Sequence, residues 1–457
     1  MSPARLSLSR RSPVHLMMLS ALAFACTPSG QGKTAYVGAS VLDGSGGPPI
    51  DDALILVSHG RIEQIVPGGS SKVPRGATVV NLNGKWVVPG FIDGHTHVQR
   101  WTLTRYLAYG VTSVRDVGGN TDSLVSLRSD VDGGKILGPR LFISGAMIDG
   151  APATWPGATE VFKPEDARRA VDKLVLANVS QIKIYTKIDR PLLAALMDEA
   201  KTLNVPVTGH LGRVDAVTAA RMGVSAIEHM SGIVESSVRN PAPLIRAHDD
   251  FFKGWITSER TWSTLDSGSL DHTAHALIDA KVTIIPTLIQ HQTYAYLEDP
   301  GYLAHLDLSG VPAEVRKDWD IPGLVDRAHL KPADYTALRK SRPIEDWFVR
   351  FYHTKGGRVV AGTDSPNQLI APGASLHEEL ALLVGAGLTP KDAFLAATRD
   401  AARLLNADSL GVLRPGGLAD FVVLGGDPTQ DIANTRKIER VVQFGVEHTP
   451  DQLRRDW

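Results

Sequence analysis

Hydrophobic and polar positions alternate as in strands through the first part of the chain. Residues 53–57 and 61–66 flank Ser58-His59-Gly60, a hairpin turn signal. The alternation resumes at 77–82, and 85–88 follow Asn83-Gly84. No helix-period stretch interrupts these runs, so residues 34–88 are expected to form a β-rich unit.

Past residue 89 the pattern changes. Short apolar runs at 113–116, 141–144, 181–185, 205–210, 225–229, 282–286 and 358–364 alternate with helical stretches such as 164–177, 191–203 and 216–222. Repeated βα units of this length predict a parallel sheet. With a strand at Phe91 the count reaches eight, so the expected fold of residues 89–410 is an α/β (β/α)8 TIM barrel. The β pattern returns at 419–424 and 440–444. Residues 34–88 and 411–447 are therefore expected to pair into a small β-sandwich domain formed by both chain ends. Residues 234–272 and 291–345 are less regular and carry Trp255, Trp262, Tyr294, Tyr296 and Trp319. They fall after strands six and seven, where long loops shape substrate pockets.

Composition narrows the chemistry. The formal net charge is −1 and no basic stripe is present, which leaves nucleic acid no electrostatic foothold and favours a small-molecule substrate. One cysteine in 457 residues excludes a disulfide framework and a cysteine zinc site, so any metal is held by His and carboxylates. At the amino terminus Arg5, Arg10 and Arg11 precede a short apolar run, and Ala23-Phe24-Ala25 has the small-residue pattern of a cleavage site. Residues 1–26 thus read as a lipoprotein-type signal peptide. Cys26 is the candidate lipidation site, 27–33 form a tether, and the protein is expected in the bacterial periplasm or anchored to a membrane. Plain secretion with an incidental Cys26 is the alternative. Oligomeric state is open.

Candidate chemistry collects at the ends of predicted strands. His95 and His97 are two apart, so alternation puts both imidazoles on one face with Asp93. Lys183 and Tyr185 share the parity opposite to Ile182 and Ile184, and would point into the barrel. A lysine there must be paired, with Asp116 or Asp364 for example, or chemically altered. His210, His229 and Asp364 end strands five, six and eight. Each alone has a structural explanation: a surface histidine, a core histidine, a helix cap. Their recurrence in one register points to a metal site at the mouth of the barrel.

These residues sit in longer motifs: Val88-Pro89-Gly90-Phe91-Ile92-Asp93-Gly94-His95-Thr96-His97, Gly110-Val111-Thr112-Ser113-Val114-Arg115-Asp116, Gln181-Ile182-Lys183-Ile184-Tyr185, Gly209-His210, Glu228-His229, Ala361-Gly362-Thr363-Asp364 and Gly416-Gly417-Leu418-Ala419-Asp420-Phe421. With them the chain resembles the amidohydrolase superfamily, in particular its imidazolonepropionase-like and Xaa-Pro-dipeptidase-like branch. The resemblance implies that His95, His97 and Asp364 bind a buried metal and that His210 and His229 bind a second. It also implies a carboxylated Lys183 bridging two divalent ions, expected to be Zn2+. A metal-bridging hydroxide would attack the scissile carbonyl, with Asp364 as the catalytic proton carrier. Deaminases of the superfamily carry a glutamate three residues after the strand-five histidine. Here Leu211-Gly212-Arg213 follows His210, and Lys183 favours the two-metal hydrolytic form.

The activity these features imply is hydrolysis of the amide bond of Xaa-Pro-like dipeptides or N-acyl amino acids. A lactonase, esterase or xenobiotic-degrading enzyme on the same binuclear site is a second reading, and a non-catalytic binding protein a third. Tyr185, Arg115 and Arg213 are candidates for holding a substrate carboxylate or oxyanion; structural ion pairing is the competing role for the arginines. His291, His353 and His377 are further pocket candidates without an assigned role.

Overall fold

A computed structural model describes residues 32–68, 72–455 and 457. The expected signal segment, with Cys26, lies outside the described residues. Lys33, expected at the end of the tether, begins the first strand, Lys33–Val41.

Both chain ends contribute to one eight-stranded sheet. Its order is Val446–His448, Ile438–Gln443, Phe421–Leu424, Trp86–Pro89, Lys33–Val41, Ile50–Ser58 and Arg61–Pro67, with Thr78–Asn81 pairing alongside Lys33–Val41. The ends meet where Phe421–Leu424 runs antiparallel to Trp86–Pro89. The central strands are buried on both faces, as in Phe421–Leu424, where all four residues are buried. Tyr36, Val41, Ile55, Ile62, Phe421 and Val423 form a common core, and the Tyr36 and Phe421 rings meet edge to face at 5.1 Å.

The middle of the chain builds two parallel sheets. One has seven strands in the order Thr159–Val161, Ile148–Gly150, Ile182–Ile184, Val207–Gly209, Ala226–Glu228, Thr283–Ile285 and Arg358–Val359. The other has three: Phe91–Thr96, Val111–Asp116 and Arg140–Ile143. A seam joins them. Gly94 N donates to Ala361 O at 2.9 Å, Asp364 N to His95 O at 2.8 Å and His97 N to Ser365 O at 2.8 Å. The expected strand at 358–364 therefore splits. Its first residues extend the seven-stranded ladder, and its later ones pair with Phe91–Thr96. Ile148–Gly150 and Thr159–Val161 were not expected as strands; each is only three residues long, too short to show a period.

Ile182 and Ile184 pack outward against helices Pro164–Leu176 and Arg190–Thr202, in one cluster with Val171, Leu174, Leu193 and Leu196. The segments expected to be irregular are instead helical. Phe251–Thr261, Ser267–Asp279, Pro300–His305 and Ile321–Arg327 each start at an aspartate, Asp250, Asp266, Asp299 and Asp320, whose carboxylate caps the first turn. The caps divide the region into separate helices, of which Pro300–His305 and Ile321–Arg327 are too short to show a period. The 23-residue helix Pro332–Thr354 runs through Pro343, a residue that sequence rules treat as a breaker.

Candidate active site

Six predicted ligands converge at the carboxyl ends of the parallel strands, around a cavity of about 350 Å³. The seam between the sheets sets His95 and His97 beside Asp364. His95 Nδ1 donates to Glu228 Oε2 at 2.6 Å, and His97 Nδ1 donates to the Gly118 carbonyl at 2.8 Å. His229 Nδ1 donates to Thr287 Oγ1 at 2.7 Å, because the threonine hydroxyl itself donates to Pro286 O at 2.8 Å. All three rings are thereby oriented with Nε2 left for the site, the outer-partner arrangement typical of metal-ligating histidines.

Asp364 Oδ1 lies 3.2 Å from His95 Nε2 and 3.1 Å from His97 Nε2, yet has no hydrogen-bond partner. A carboxylate oxygen and an imidazole nitrogen at this distance must have a proton or a metal ion between them. Ligand atoms about 2.1 Å from a tetrahedral ion sit about 3.4 Å apart, so the spacing fits a shared metal. His210 adds a buried Nδ1 with no partner. Its ring centroid is 4.8 Å from that of His229, which is 4.4 Å from that of His95.

Burial dominates the electrostatics. It pushes His210 and His229 well below the usual histidine range, helped by Lys183 and the neighbouring imidazoles, so both offer neutral nitrogens. Burial opposes ionisation of Asp364, but His95 and His97 outweigh it and hold the carboxyl well below its ordinary range. Lys183 is 1% exposed and, among the described residues, makes no hydrogen bond or ion pair. Pairing with Asp116 does not occur, since that carboxylate accepts from Val98 N and Gly118 N. Burial lowers Lys183 to about 8, with Glu228 pulling upward and Arg115 downward.

Asp93 faces away from the cavity and accepts hydrogen bonds from Thr363 N, Thr363 Oγ1 and His95 N. Tyr185 lines the cavity. The two arginine candidates do not, which corrects their expected substrate role. Arg115, 2% exposed, binds Glu228 Oε1 at 2.8 Å and the Gly94 carbonyl at 3.1 Å. Arg213 is forked onto Asp249 at 2.7 and 3.0 Å. His353 pairs with Asp392, and His377 is buried between Thr435 Oγ1 and Tyr109 O, both outside the cavity. His291 lies in a separate buried cluster.

Three features escaped the sequence. Glu228 is the buried hub that takes His95, Arg115 and the Thr208 hydroxyl; its place before His229 was the available signal. Gln290 donates to Asp364 Oδ2 at 2.5 Å. An aromatic wall of Trp155, Phe251, Phe252, Trp255 and Tyr294 faces the ligands across the cavity. All but Trp155 stood in the segments expected to shape the pocket, where the sequence singled out Trp255 and Tyr294 but not Phe251 and Phe252.

The amidohydrolase family model matches residues 86–248 and 334–446, more than half of the chain. The chain belongs to this amidohydrolase family. All six ligand candidates lie inside the matched segments, while Phe251, Phe252, Trp255 and Tyr294 lie between them. An uncharacterized protein of Mycobacterium tuberculosis is 28% identical over 205 residues, 41% of this chain, and the chain spans only 31% of that relative's length. An imidazolonepropionase of Pseudomonas fluorescens is 24% identical over 421 residues, 88% of this chain and 95% of the relative. Among solved structures, a Xaa-Pro dipeptidase with methionine bound in its active site superposes with a TM-score of 0.66. It is 20% identical and covers 91% of this chain and 100% of its own. That likeness supports the fold alone.

Proposed function

We propose that this amidohydrolase is a binuclear metal-dependent hydrolase that cleaves the amide bond of Xaa-Pro-like dipeptides or N-acyl amino acids. We also take the two parallel sheets to be the halves of one (β/α)8 barrel, and the sheet from the chain ends to be one side of a flanking β-sandwich. The observation that carries the functional reading is the convergence of His95, His97, Lys183, His210, His229 and Asp364 on one aromatic-walled cavity. In this reading His95, His97 and Asp364 hold one ion, and His210 and His229 hold the other. Lys183, once carboxylated, would supply a further carboxylate to the metal site; a lysine lowered to about 8 has access to the neutral amine that reaction with carbon dioxide requires. Bound zinc ions supply Lewis acidity for the carbonyl oxygen and make water a better nucleophile near neutral pH.

The remaining work falls to the protein. Asp364, held ionised, would take the proton released by the attacking water on its carboxylate and pass it to the leaving nitrogen, with Gln290 orienting the group through Oδ2. Tyr185, kept protonated by burial, offers a hydroxyl donor to the substrate's oxygens. The wall of Trp155, Phe251, Phe252 and Trp255 excludes water and favours an apolar side chain or a proline ring on the substrate. The test compares the protein with its Lys183→Ala variant by elemental analysis and by turnover of a panel of dipeptides, N-acyl amino acids, lactones and esters. Loss of metal together with loss of amide hydrolysis in the variant is expected. A variant that keeps the full metal content refutes the bridge. Turnover of lactones or esters alone refutes the amide substrate.

A further inference from the structure

A second set of ligating groups is buried away from this cavity. Glu259 on helix Phe251–Thr261, His291 on helix Leu288–Ala295 and Glu345 on helix Pro332–Thr354 bring one donor atom each within 4.8 Å of the others. His291 Nδ1 is 3.1 Å from Glu259 Oε2 and 3.8 Å from Glu345 Oε2. These two spacings straddle the roughly 3.4 Å expected between neighbouring ligands of a tetrahedral ion.

Two observations separate this cluster from an ordinary ion pair. Glu345, with a side chain 2% exposed, makes no hydrogen bond among the described residues; its approach to His291 is too long for one. His291 Nε2 is also buried without a partner. The charges do not close either. Two buried carboxylates face one imidazole, so the ring balances at most one of them, and the other must take up a proton or meet a cation. Arg342, on the same helix as Glu345, is committed elsewhere: its Nε binds Asp346 at 2.7 Å, and Nη1 reaches Gln292 Oε1 at 3.2 Å. A cavity of about 230 Å³ borders all three residues and leaves room for water to complete a coordination shell.

We propose that Glu259, His291 and Glu345 hold a divalent first-row transition ion that pins the three helices together. One imidazole and two carboxylates form a borderline donor set, suited to zinc or manganese. The site lies behind the catalytic groups. Helix Leu288–Ala295 carries Gln290, which binds Asp364, and starts at Thr287, which binds His229. A fixed His291 therefore fixes the partners of two catalytic-site residues.

The test uses the full chain loaded with zinc and freed of excess, with Glu345→Gln chosen to preserve shape. Glu345→Gln is expected to lose one equivalent of zinc relative to the parent, which the Lys183→Ala variant keeps. Zinc-edge anomalous diffraction from crystals of the unsubstituted protein is expected to place a peak among the three side chains, a measurement independent of how any variant folds. A Glu345→Gln variant with the parent's zinc content overturns the proposal. So does a crystal showing anomalous density at His95 and His97 but none at His291, which would mean that a proton, not a metal, neutralises the cluster.

Discussion

Replacing Glu228 with glutamine removes one charge from the point where the fold and the site are joined. The carboxylate is fully buried. It accepts from Arg115 Nη1 at 2.8 Å, His95 Nδ1 at 2.6 Å and the Thr208 hydroxyl. In the variant, Arg115 faces only neutral acceptors within the buried site, the Gly94 carbonyl and the new amide oxygen. Breaking a buried pair from one side costs about 3–5 kcal/mol, and because glutamine keeps the shape and one acceptor, we expect about 3 kcal/mol. Losing the orienting carboxylate behind His95 should weaken metal binding about 10- to 100-fold. Urea unfolding of metal-free protein, followed by tryptophan fluorescence, reads the first effect, and titration against a chelating indicator reads the second. The pH dependence has a definite sign. Burial opposes ionisation of Glu228, but Arg115, His95 and Lys183 hold its folded value well below 4.5. Its stabilisation is therefore complete above about pH 4.5 and lost as pH falls through the folded value. Adding Arg115→Met to Glu228→Gln removes the stranded charge and should recover stability. A single variant within about 1 kcal/mol of the parent, with unchanged metal affinity, or a double variant weaker than the single one, would refute this account.

Three other outcomes are expected. Thr287→Val keeps the shape but removes the acceptor for His229 Nδ1; zinc affinity should drop about 10- to 100-fold, with Thr287→Ser restoring it in the same titration. Phe251→Ala opens the wall beside Tyr185, His210 and Trp155. Losing about 1.5–3 kcal/mol of apolar contact should lower kcat/KM at least tenfold for N-acyl amino acids with bulky side chains and leave N-acetylglycine nearly unchanged, a contrast steady-state kinetics will show. His377 is pushed down to about 3 by burial and then by Arg436, so only the unfolded chain takes up a proton below about 6.5. Its contribution to stability falls between pH 6.5 and 3, by up to about 1.4 kcal/mol per pH unit, and the difference between parent and His377→Gln in urea unfolding at several pH values should follow that slope.

The convergence of the candidate ligands on one cavity was legible because strand geometry sets which side chains share a face. A two-residue period fixes which side chains share a face, so Lys183 and Tyr185 could be set apart from Ile182 and Ile184 before any contact was known. Roles that depend on distant partners were not legible. Arg115 near a strand end looks like a substrate clamp until Glu228, 113 residues later, arrives to neutralise it. Arg213 has the same history with Asp249, 36 residues on. Among the helical segments around residues 251–327, Pro300–His305 and Ile321–Arg327 hid for a local reason, since each ends before two turns accumulate, whereas Phe251–Thr261 and Ser267–Asp279 run for three turns or more and were missed all the same. Pro343 misled in the opposite direction: a breaker by propensity, it lies inside a helix that packs against its neighbours along its length.

Four of the thirteen non-glycine residues with positive φ among the described residues lie at or beside the candidate ligands. His229, Met230, Thr287 and Asp364 all have positive φ, at 57°, 54°, 48° and 67°, a conformation that costs residues other than glycine of order 1–3 kcal/mol each. Each of the three site residues is restrained by what surrounds it. His229 N donates to Ile285 O, Asp364 N donates to His95 O, and the Thr287 hydroxyl links Pro286 to His229. These bonds cross between strands, so the strain can persist only while the strand ends stay in register. The two candidate ligands, His229 and Asp364, both follow strands of the seven-stranded sheet and face His95 and His97 from the other side of the seam. A chain that relaxed these conformations would gain local stability and lose the common focus of His95, His97, His229 and Asp364. Metal binding and strand register are thus coupled: an ion that needs this focus stabilises the register, and any substitution that loosens the seam should weaken metal affinity before it unfolds the protein.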